Sequence, residues 1–490
     1  MAQTTPLILI LDQGSHASRA MLYDLRGHAV NSNHVPIEPE HPEPARSEYP
    51  ADAPYAALRQ CVDTVLSDLG DGQVLAAALA CQRSSIACWD RRDGSPLSPI
   101  ISWQDRRTES DLAIWQGHAA HIHEWTGLRL SPYYGATKLH WCLRNLPRVR
   151  AASDRGHLAC GPLASRLIWQ LTREHSLLVD PANAARTLLF DHVSRDWSPQ
   201  LLEIFDLSAT DLPTCVSSDY DFGRIPSLVG DIPLKLVTGD QPAALYAHGT
   251  LRQDTLYATL GTGAFLTQPA PTWMTSEQLL TAIVHDDGTR QDHALEGTIN
   301  GAGSALSWFR ETVADDALTS KRLEEILPLW LANKTDPPIF LNGVHGLGTP
   351  FGGAKLTSRF ISTQSNPRPD IEARGVAVIE SIVFLLEENR RAMSASGIMA
   401  RQIVIGGGLS RLDGLCQRLA DLSDLPVRRS RETETTSHGL AFLLIRQLTG
   451  QAVFELEETL FDDFLPRPNT AFSERMANWQ LAMRRELGHD

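Results

Sequence analysis

The sequence predicts an α/β protein of two similarly built lobes with a ligand cleft between them, and three observations carry that expectation. Leu7 to Asp24 reads as a buried strand, Leu7 to Leu11, ending in Asp12. A turn centred on Gly14 and a second strand-like run, Arg19 to Tyr23, follow. The same shape returns about half a chain later: Leu256 to Gln268 is again strand, Gly261-Thr262-Gly263 turn, strand. The chain of 490 residues, 42% hydrophobic and 21% charged, has room for two or three domains with sizeable cores. The expected division is an N-terminal lobe over 1–245, a C-terminal lobe over 246–465 and a surface helix over 466–490.

Composition removes several classes of function. A net charge of −14 with no long basic block argues against nucleic acid or an anionic membrane as main partner. Seven cysteines without a Cys-x-x-Cys spacing fit a reducing compartment and no structural metal site. No basic region precedes the first apolar run and Asp12 interrupts it, so no signal peptide is expected. The apolar runs also fall far short of a membrane span. A cytoplasmic protein is expected.

After the first hairpin, His28 to Ile37 reads as a third strand and Pro36 to Pro50 as loop. Asp52 to Leu69 carries Leu58, Val62, Val65, Leu66 and Leu69 at helical spacing and stops before Gly70. Val74 to Cys81 is wholly apolar and of strand length, hence central in a sheet. Three strands, a helix and a strand open an RNase H-like, actin-type lobe. A carboxylate at the mouth of such a hairpin can hold Mg²⁺ through water, because Mg²⁺ takes few carboxylates and keeps its waters. An Asp that merely starts the turn reads equally well. Backbone N–H groups around Gly14 and Ser15 can cradle phosphate oxygens, with Arg19 adding charge.

Arg83 follows the buried strand at its carboxyl end, where α/β proteins place ligand contacts. Trp103, Gln104 and Asp105 form a second cluster at the end of another apolar run. Guanidinium, indole and amide in one cleft suit a small polyhydroxylated ligand, the indole covering C–H surface while polar groups take hydroxyls. Arg106 and Arg107 read as surface salt bridges. Residues 140–235 read as helices and loops, with Trp169 and Trp197 in the core. Leu234 to Thr238 is a short strand delivering Gly239-Asp240-Gln241, with a helix from Ala243 to Gly249 behind it. Taken alone, Asp240 reads as a helix-capping carboxylate.

In the second half, the Thr262 hydroxyl and neighbouring N–H groups can meet terminal phosphates. Ala294 to Phe309 reads as strand then helix, with Gly301, Ala302, Gly303 and Ser304 allowing close approach of a nucleotide. Ile339 to Leu341 is a short strand. Asp370 to Ser396 is a core helix with Ile371, Val378, Ile379, Ile382, Leu386 and Met393 on one face. Gln402 to Ile405 is a strand running into Gly406-Gly407-Gly408, with helices expected over Leu412 to Leu422 and Thr436 to Leu448.

Several blocks together resemble one family. Asp12-Gln-Gly, Gln82-Arg83, Trp103-Gln-Asp-Arg-Arg-Thr, Gly239-Asp-Gln, the Tyr133 to Trp141 block, Asp180 to Asp191, Ala294-Leu-Glu-Gly and Ile405-Gly-Gly-Gly are similar to the FGGY carbohydrate kinases. They are most similar to the glycerol kinase branch. Matching blocks run from residue 7 to about 445. The resemblance implies two actin-type lobes and ATP-dependent phosphorylation of a terminal hydroxyl of a small polyol, with Asp240 as general base. It implies Mg²⁺ held by Asp12 through water and by Asp240. Gly14, Ser15, His16, Arg19, Thr262, Gly263, Gly303, Gly407 and Gly408 are then expected at ATP, and Arg83, Ser84, Trp103, Tyr133, Asp240, Gln241 and Phe265 at the acceptor. The expected partner is a small-molecule polyol or sugar, not nucleic acid or membrane; assembly into a homodimer or homotetramer is left open.

The sequence departs from the branch at particular places. Ser84 stands where glycerol kinases carry a Glu that accepts hydrogen bonds from glycerol, a contact worth roughly 1.5–3 kcal/mol. His16 replaces a Thr in the first phosphate turn, and Gly406 and Leu412 replace an Asp and an Asn near adenosine. Ile225 to Pro233 runs where some bacterial relatives have a regulatory loop, so inhibition by a sugar bisphosphate through that loop is not expected. Two alternatives therefore stand beside a polyol kinase: a kinase of a ketose such as a pentulose, and a catalytically silent sugar or nucleotide sensor on the same fold.

Overall fold

The computed structural model describes residues 5–70, 72–313, 319–332, 336–352, 356–451 and 461–488. The chain forms two compact units: Met1–Leu251 with Ala282–His293 and Glu434–Leu456, and Arg252–Thr281 with Ala294–Thr433 and Glu457–Asp490. Two short returns of the chain thus belong with the first unit, which a single boundary between 245 and 246 does not express.

The first unit is built on a six-stranded sheet in the order Asp219–Ser227, Gly230–Gly239, Gly72–Cys81, Thr5–Gln13, Ala17–Asp24, Ala29–Pro36. The first strand is apolar on both sides because both faces are covered. Leu7, Leu9 and Leu11 join a core with Leu58, Val62 and Val65 of the helix Ala53–Ser67. Ile8 and Ile10 are equally buried and point the other way, as alternation along a strand requires. The helix Thr435–Thr449 packs against this strand and against Gly72–Cys81. A four-stranded sheet of Glu48–Tyr49, Ile100–Ile101, Ile86–Asp90 and Leu158–Pro162 adjoins the same core. Leu158–Pro162 and Asp219–Ser227 correct the expectation of helices and loops alone over 140–235. Trp197 is buried, as expected, and Trp169 packs at the edge of the core.

The second unit repeats the plan. Thr255–Leu260 pairs antiparallel with Ala264–Ala270 and parallel with Gln402–Gly406, which runs parallel to Val427–Ser430. The first unit has the same sequence of pairings: Thr5–Gln13 is antiparallel to Ala17–Asp24 and parallel to Gly72–Cys81, itself parallel to Gly230–Gly239. The expected core helix spans Ile371–Ala395, with Asp370 capping its start by accepting from the Ala373 N–H.

The C-terminal helix is more than a surface element. It spans Thr470–Leu487 and buries Phe472, Met476, Trp479 and Met483 in the core of the second unit. These residues repeat every three to four positions, the stripe of an amphipathic helix. Residues 489 and 490 of the expected span, and 452–460 before it, lie outside the described residues. Arg475 on this helix donates through Nε to Glu380 Oε1 at 2.8 Å and through Nη2 to Glu380 Oε2, while Trp479 Nε1 donates to the Phe340 carbonyl at 3.0 Å. Glu380 is 1% exposed. Removing Arg475 strands a buried carboxylate, so Arg475→Met is expected to cost about 3–5 kcal/mol, read as a lower midpoint in urea unfolding.

Candidate active site

Strand register assembles the site of the first unit. Asp12 lies opposite Arg19 across the hairpin and opposite Ala80 on the parallel neighbour. Gln13 is level with Cys81, and Cys81 with Gly239. Three adjacent parallel strands therefore end together, and Gly14-Ser15, Gln82-Arg83 and Asp240-Gln241 leave the sheet at one place. Ligands of α/β sheets bind there, at the carboxyl ends of strands.

The turn after the first strand is closed by Gly14 N–H to the Ala17 carbonyl at 3.0 Å. Ser15 Oγ accepts from Trp103 Nε1 at 2.9 Å and donates to Gln82 Oε1 at 3.2 Å. The Gly14 N–H and the Ser15 hydroxyl are thus engaged within the protein, and His16 at the tip is exposed. Because its N–H is used, Trp103 has only its ring face to offer a ligand. Its ring lies 6.4 Å from that of Tyr133, at 44°.

Arg83 Nη2 donates to Gln241 Oε1 at 3.0 Å, joining two of the expected acceptor residues. The stem of Arg83 lies over Gly239, where a Cβ would come within 2.6 Å of its Cδ. Ser84 next to it takes a left-handed backbone conformation, φ 65°. Its carbonyl accepts from Lys138 Nζ, a side chain with no solvent exposure whose pKa is pushed down to about 7 by burial, against the pull of Asp105. Arg106 meets Glu109 at the surface as expected. Arg107 does not: its side chain is 4% exposed and bonds Asp105 and Glu48 at 2.8 and 2.6 Å, a buried network in place of the expected surface pair.

Asp240 opens a short helix, Asp240–Ala244, with Gly239 rather than Asp240 as its cap, and the expected helix over 243–249 gives way to turns. Asp240 Oδ1 accepts from the Gln241 N–H at 2.8 Å. Asp12 is 5% exposed, and its Oδ2 receives Arg19 Nη1 at 3.3 Å. Its Oδ1 is buried without a hydrogen-bond partner among the described residues. Burial pushes the Asp12 carboxyl up to about 7; Arg19 opposes this, and the negative charges of Asp240 and Glu434 add to it.

Sequence reasoning missed the part played by the helix Thr435–Thr449. Glu434 at its start lies 3.6 Å from Arg19 Nε, and Thr436 Oγ1 donates to the Asp240 carbonyl at 3.4 Å. Gly439 permits the approach: a Cβ there would fall 1.9 Å from the Ala243 carbonyl oxygen. A glycine inside an otherwise good helical pattern was the available signal.

The second unit has its own cleft, of about 510 Å³. Thr259 pairs with Phe265 and lies level with Gly406, so the Gly261 to Gly263 turn and the Gly406 to Gly408 turn leave one end of that sheet. The helix Gly303–Thr312 docks on the first turn, Gly303 N–H to the Gly261 carbonyl at 3.0 Å and Ser304 N–H to the Thr262 carbonyl at 2.9 Å. Of the expected nucleotide residues, Thr262, Gly303 and Gly408 line the cleft, together with Ser307, Trp308, Glu311 and His345, which were not anticipated. Ser304, Ser307, Trp308 and Glu311 stand on one helical face by their spacing; His345 comes from a loop with no sequence signal. Gly407 has φ 91°, and a Cβ there would lie 2.4 Å from the Leu260 carbonyl oxygen, so it shapes the turn. A Cβ on Gly263 would likewise lie 2.9 Å from the Ile299 carbonyl oxygen. Phe265 is half-buried on its strand.

Paired sheets of this plan, each with glycine turns at its strand ends, define the actin-type ATPase fold. Comparisons with known proteins identify the class within it. Residues 7–245 match the N-terminal domain, and 256–448 the C-terminal domain, of the FGGY family of carbohydrate kinases. A glycerol kinase of Alkalilimnicola ehrlichii is 34% identical over 98% of both chains, and an apulose kinase of Pectobacterium atrosepticum 32% identical over 90% of this chain and 89% of the other. The crystal structure of Plasmodium falciparum glycerol kinase with ADP superposes with a TM-score of 0.88 at 24% identity, covering 99% of each chain. The chain belongs to the FGGY family and is an ATP-dependent sugar or polyol kinase. Among the described residues, no helix is long and apolar enough to cross a membrane.

Folding raises the Asp12 pKa from 3.8, so its contribution to stability is present below about pH 4 and lost as pH rises through about 7. Asp12→Asn is expected to melt above the parent at about pH 8 and to show no gain at about pH 4, in metal-free thermal unfolding. Gly239→Ala displaces the Arg83 stem and is expected to raise the acceptor KM about tenfold with the ATP KM unchanged.

Proposed function

We propose that the protein transfers the γ-phosphoryl group of ATP to a terminal hydroxyl of a small polyol, with glycerol the first acceptor to test. The observation that carries this reading is the common strand-end position of Asp12, Arg83 and Asp240, beside the Trp103 and Tyr133 rings. Relatives whose names are glycerol kinase support it.

In the first unit, Arg83 and Gln241 bind hydroxyl oxygens of the acceptor, while the faces of Trp103 and Tyr133 cover its C–H surface. Asp240 takes the proton of the attacking hydroxyl as the new P–O bond forms, because an alcohol is too weak an acid to ionise first. In the first unit, the N–H groups of Ser15 and His16 and the Arg19 guanidinium supply phosphate contacts. The second unit's cleft takes the nucleoside, with the Gly303 and Gly408 backbones against it.

The residues fit Mg²⁺. Asp12 has a buried carboxylate oxygen without a partner among the described residues, and burial, with the nearby charge of Asp240, raises its pKa, so a cation there relieves both costs. Asp12, through water, and Asp240 would hold it. When bound, Mg²⁺ supplies positive charge against the phosphate oxygens.

A second reading, a kinase of a ketose such as a pentulose, is favoured by Ser84. Its short side chain cannot supply the carboxylate that glycerol kinases offer there, and an apulose kinase stands among the relatives. Coupled ADP release over glycerol and a panel of pentuloses separates the two. Release with glycerol selects the first, release with a pentulose the second, and none with any acceptor overturns both. Asp240→Asn is expected to retain ATP binding, measured by calorimetry, while turnover falls at least about a thousandfold. Near-parental turnover would remove Asp240 from the chemistry.

A further inference from the structure

The acceptor residues come from three separate segments of the first unit: Arg83-Ser84, Trp103 to Asp105, and Tyr133. We propose that Lys138 is the positioning residue that locks the first of these segments to the last, Arg83-Ser84 to Tyr133, so that acceptor affinity depends on a buried amine that touches no substrate. The proposal rests on the reading of Arg83, Trp103 and Tyr133 given above.

Lys138 lies in the first turn of the helix Gly135–Asn145 and has no exposed surface. Its Nζ donates to the Tyr133 carbonyl at 2.8 Å and to the Ser84 carbonyl at 3.2 Å. Asp105, in the middle segment, is also fully buried. Asp105 is held in turn by the Ser47 N–H at 2.7 Å and by Arg107.

Two features mark this as a device for holding loops and not a filler of core volume. An apolar chain of equal length fills the same space without the cost of burying an amine, so the two carbonyl bonds are what Lys138 adds. One of those carbonyls belongs to Ser84, whose left-handed backbone is disfavoured for any residue with a Cβ and persists only where its surroundings hold it. Arg83 stands next to Ser84, so a shift of that backbone moves Arg83 as well. Both contacts need only an N–H donor, so they survive loss of the proton.

The test is steady-state kinetics on the full chain, parent and Lys138→Met side by side, with glycerol and D-xylulose as acceptors. The expected result is an acceptor KM raised about tenfold or more, with the ATP KM within about twofold of the parent. An unchanged acceptor KM, or the two KM values rising together, overturns the proposal. Lys138→Gln, which keeps one N–H donor, is the second variant, and a smaller rise in acceptor KM is expected from it. Failure of both variants to fold, read by circular dichroism, makes Lys138 a folding element and also overturns it. A double-mutant cycle with Ser84→Gly adds a readout that core filling does not move. With the left-handed strain removed, the effect of Lys138→Met is expected to shrink. A parent silent with both acceptors counts against the proposed function itself, and the role of Lys138 falls with it; an active parent with an indifferent variant removes Lys138 alone.

Discussion

The alignment of three strand ends, Gln13 beside Cys81 beside Gly239, is the constraint on which the first unit's site depends. A strand has a side-chain period of two, so a slip of one residue turns every side chain to the opposite face. Such a slip in the first strand would take Asp12 away from Arg19 and bury it among Leu9 and Leu11's neighbours. The register is secured by what it already buries: Leu7, Leu9 and Leu11 against one helix, Ile8 and Ile10 on the other face. Apolar burial thus places the chemistry, and the polar residues need no stabilising role of their own. The Gln82 side chain, bonded to Ser15 Oγ and to the Gly14 carbonyl, then fastens the first turn to the second.

Two buried carboxylates show how differently a fold treats charge it needs for itself and charge it holds for another purpose. Glu380 is met by Arg475 on both oxygens and by Trp330, and its surroundings leave little to add. Asp12 has one oxygen served by Arg19 and one served by nothing among the described residues, with two further carboxylates raising its pKa. A group kept in that condition is a cost to folding. Perturbed carboxylates of this kind cluster at functional sites, where the missing partner arrives with the ligand.

The parts legible in the sequence were those with a period or a punctuated turn. Both hairpins, the helix over 53–67 and the core helix over 371–395 announced themselves by spacing and by glycine or aspartate at their ends. Leu158–Pro162 did not, because a strand written Leu-Ala-Cys-Gly-Pro carries two residues that ordinarily break strands. Arg107 was misread for a different reason: neighbouring charges in sequence look like surface, and only the fold reveals that Asp105 and Glu48 enclose it. Glu434 and Thr436 had no sequence signal, since their meaning lies in contacts with residues far away in the chain, Arg19 and Asp240. The last helix was expected at the surface, although Phe472, Met476, Trp479 and Met483 stand at helical spacing in the sequence; the structure buries that stripe in the second unit's core.

Four glycines beside the two strand-end sites differ in what they admit. In the first unit, Gly239 makes room for a side chain, the stem of Arg83. In the second, Gly263, Gly303 and Gly407 make room for backbone: added Cβ atoms would meet the carbonyl oxygens of Ile299, Gly261 and Leu260. The same strand-end geometry therefore presents carboxylates and guanidiniums in one unit and close-laid main chain in the other. Proton transfer from a hydroxyl needs an ionisable side chain at a fixed point, whereas a nucleotide's flat base and phosphates are well served by bare backbone.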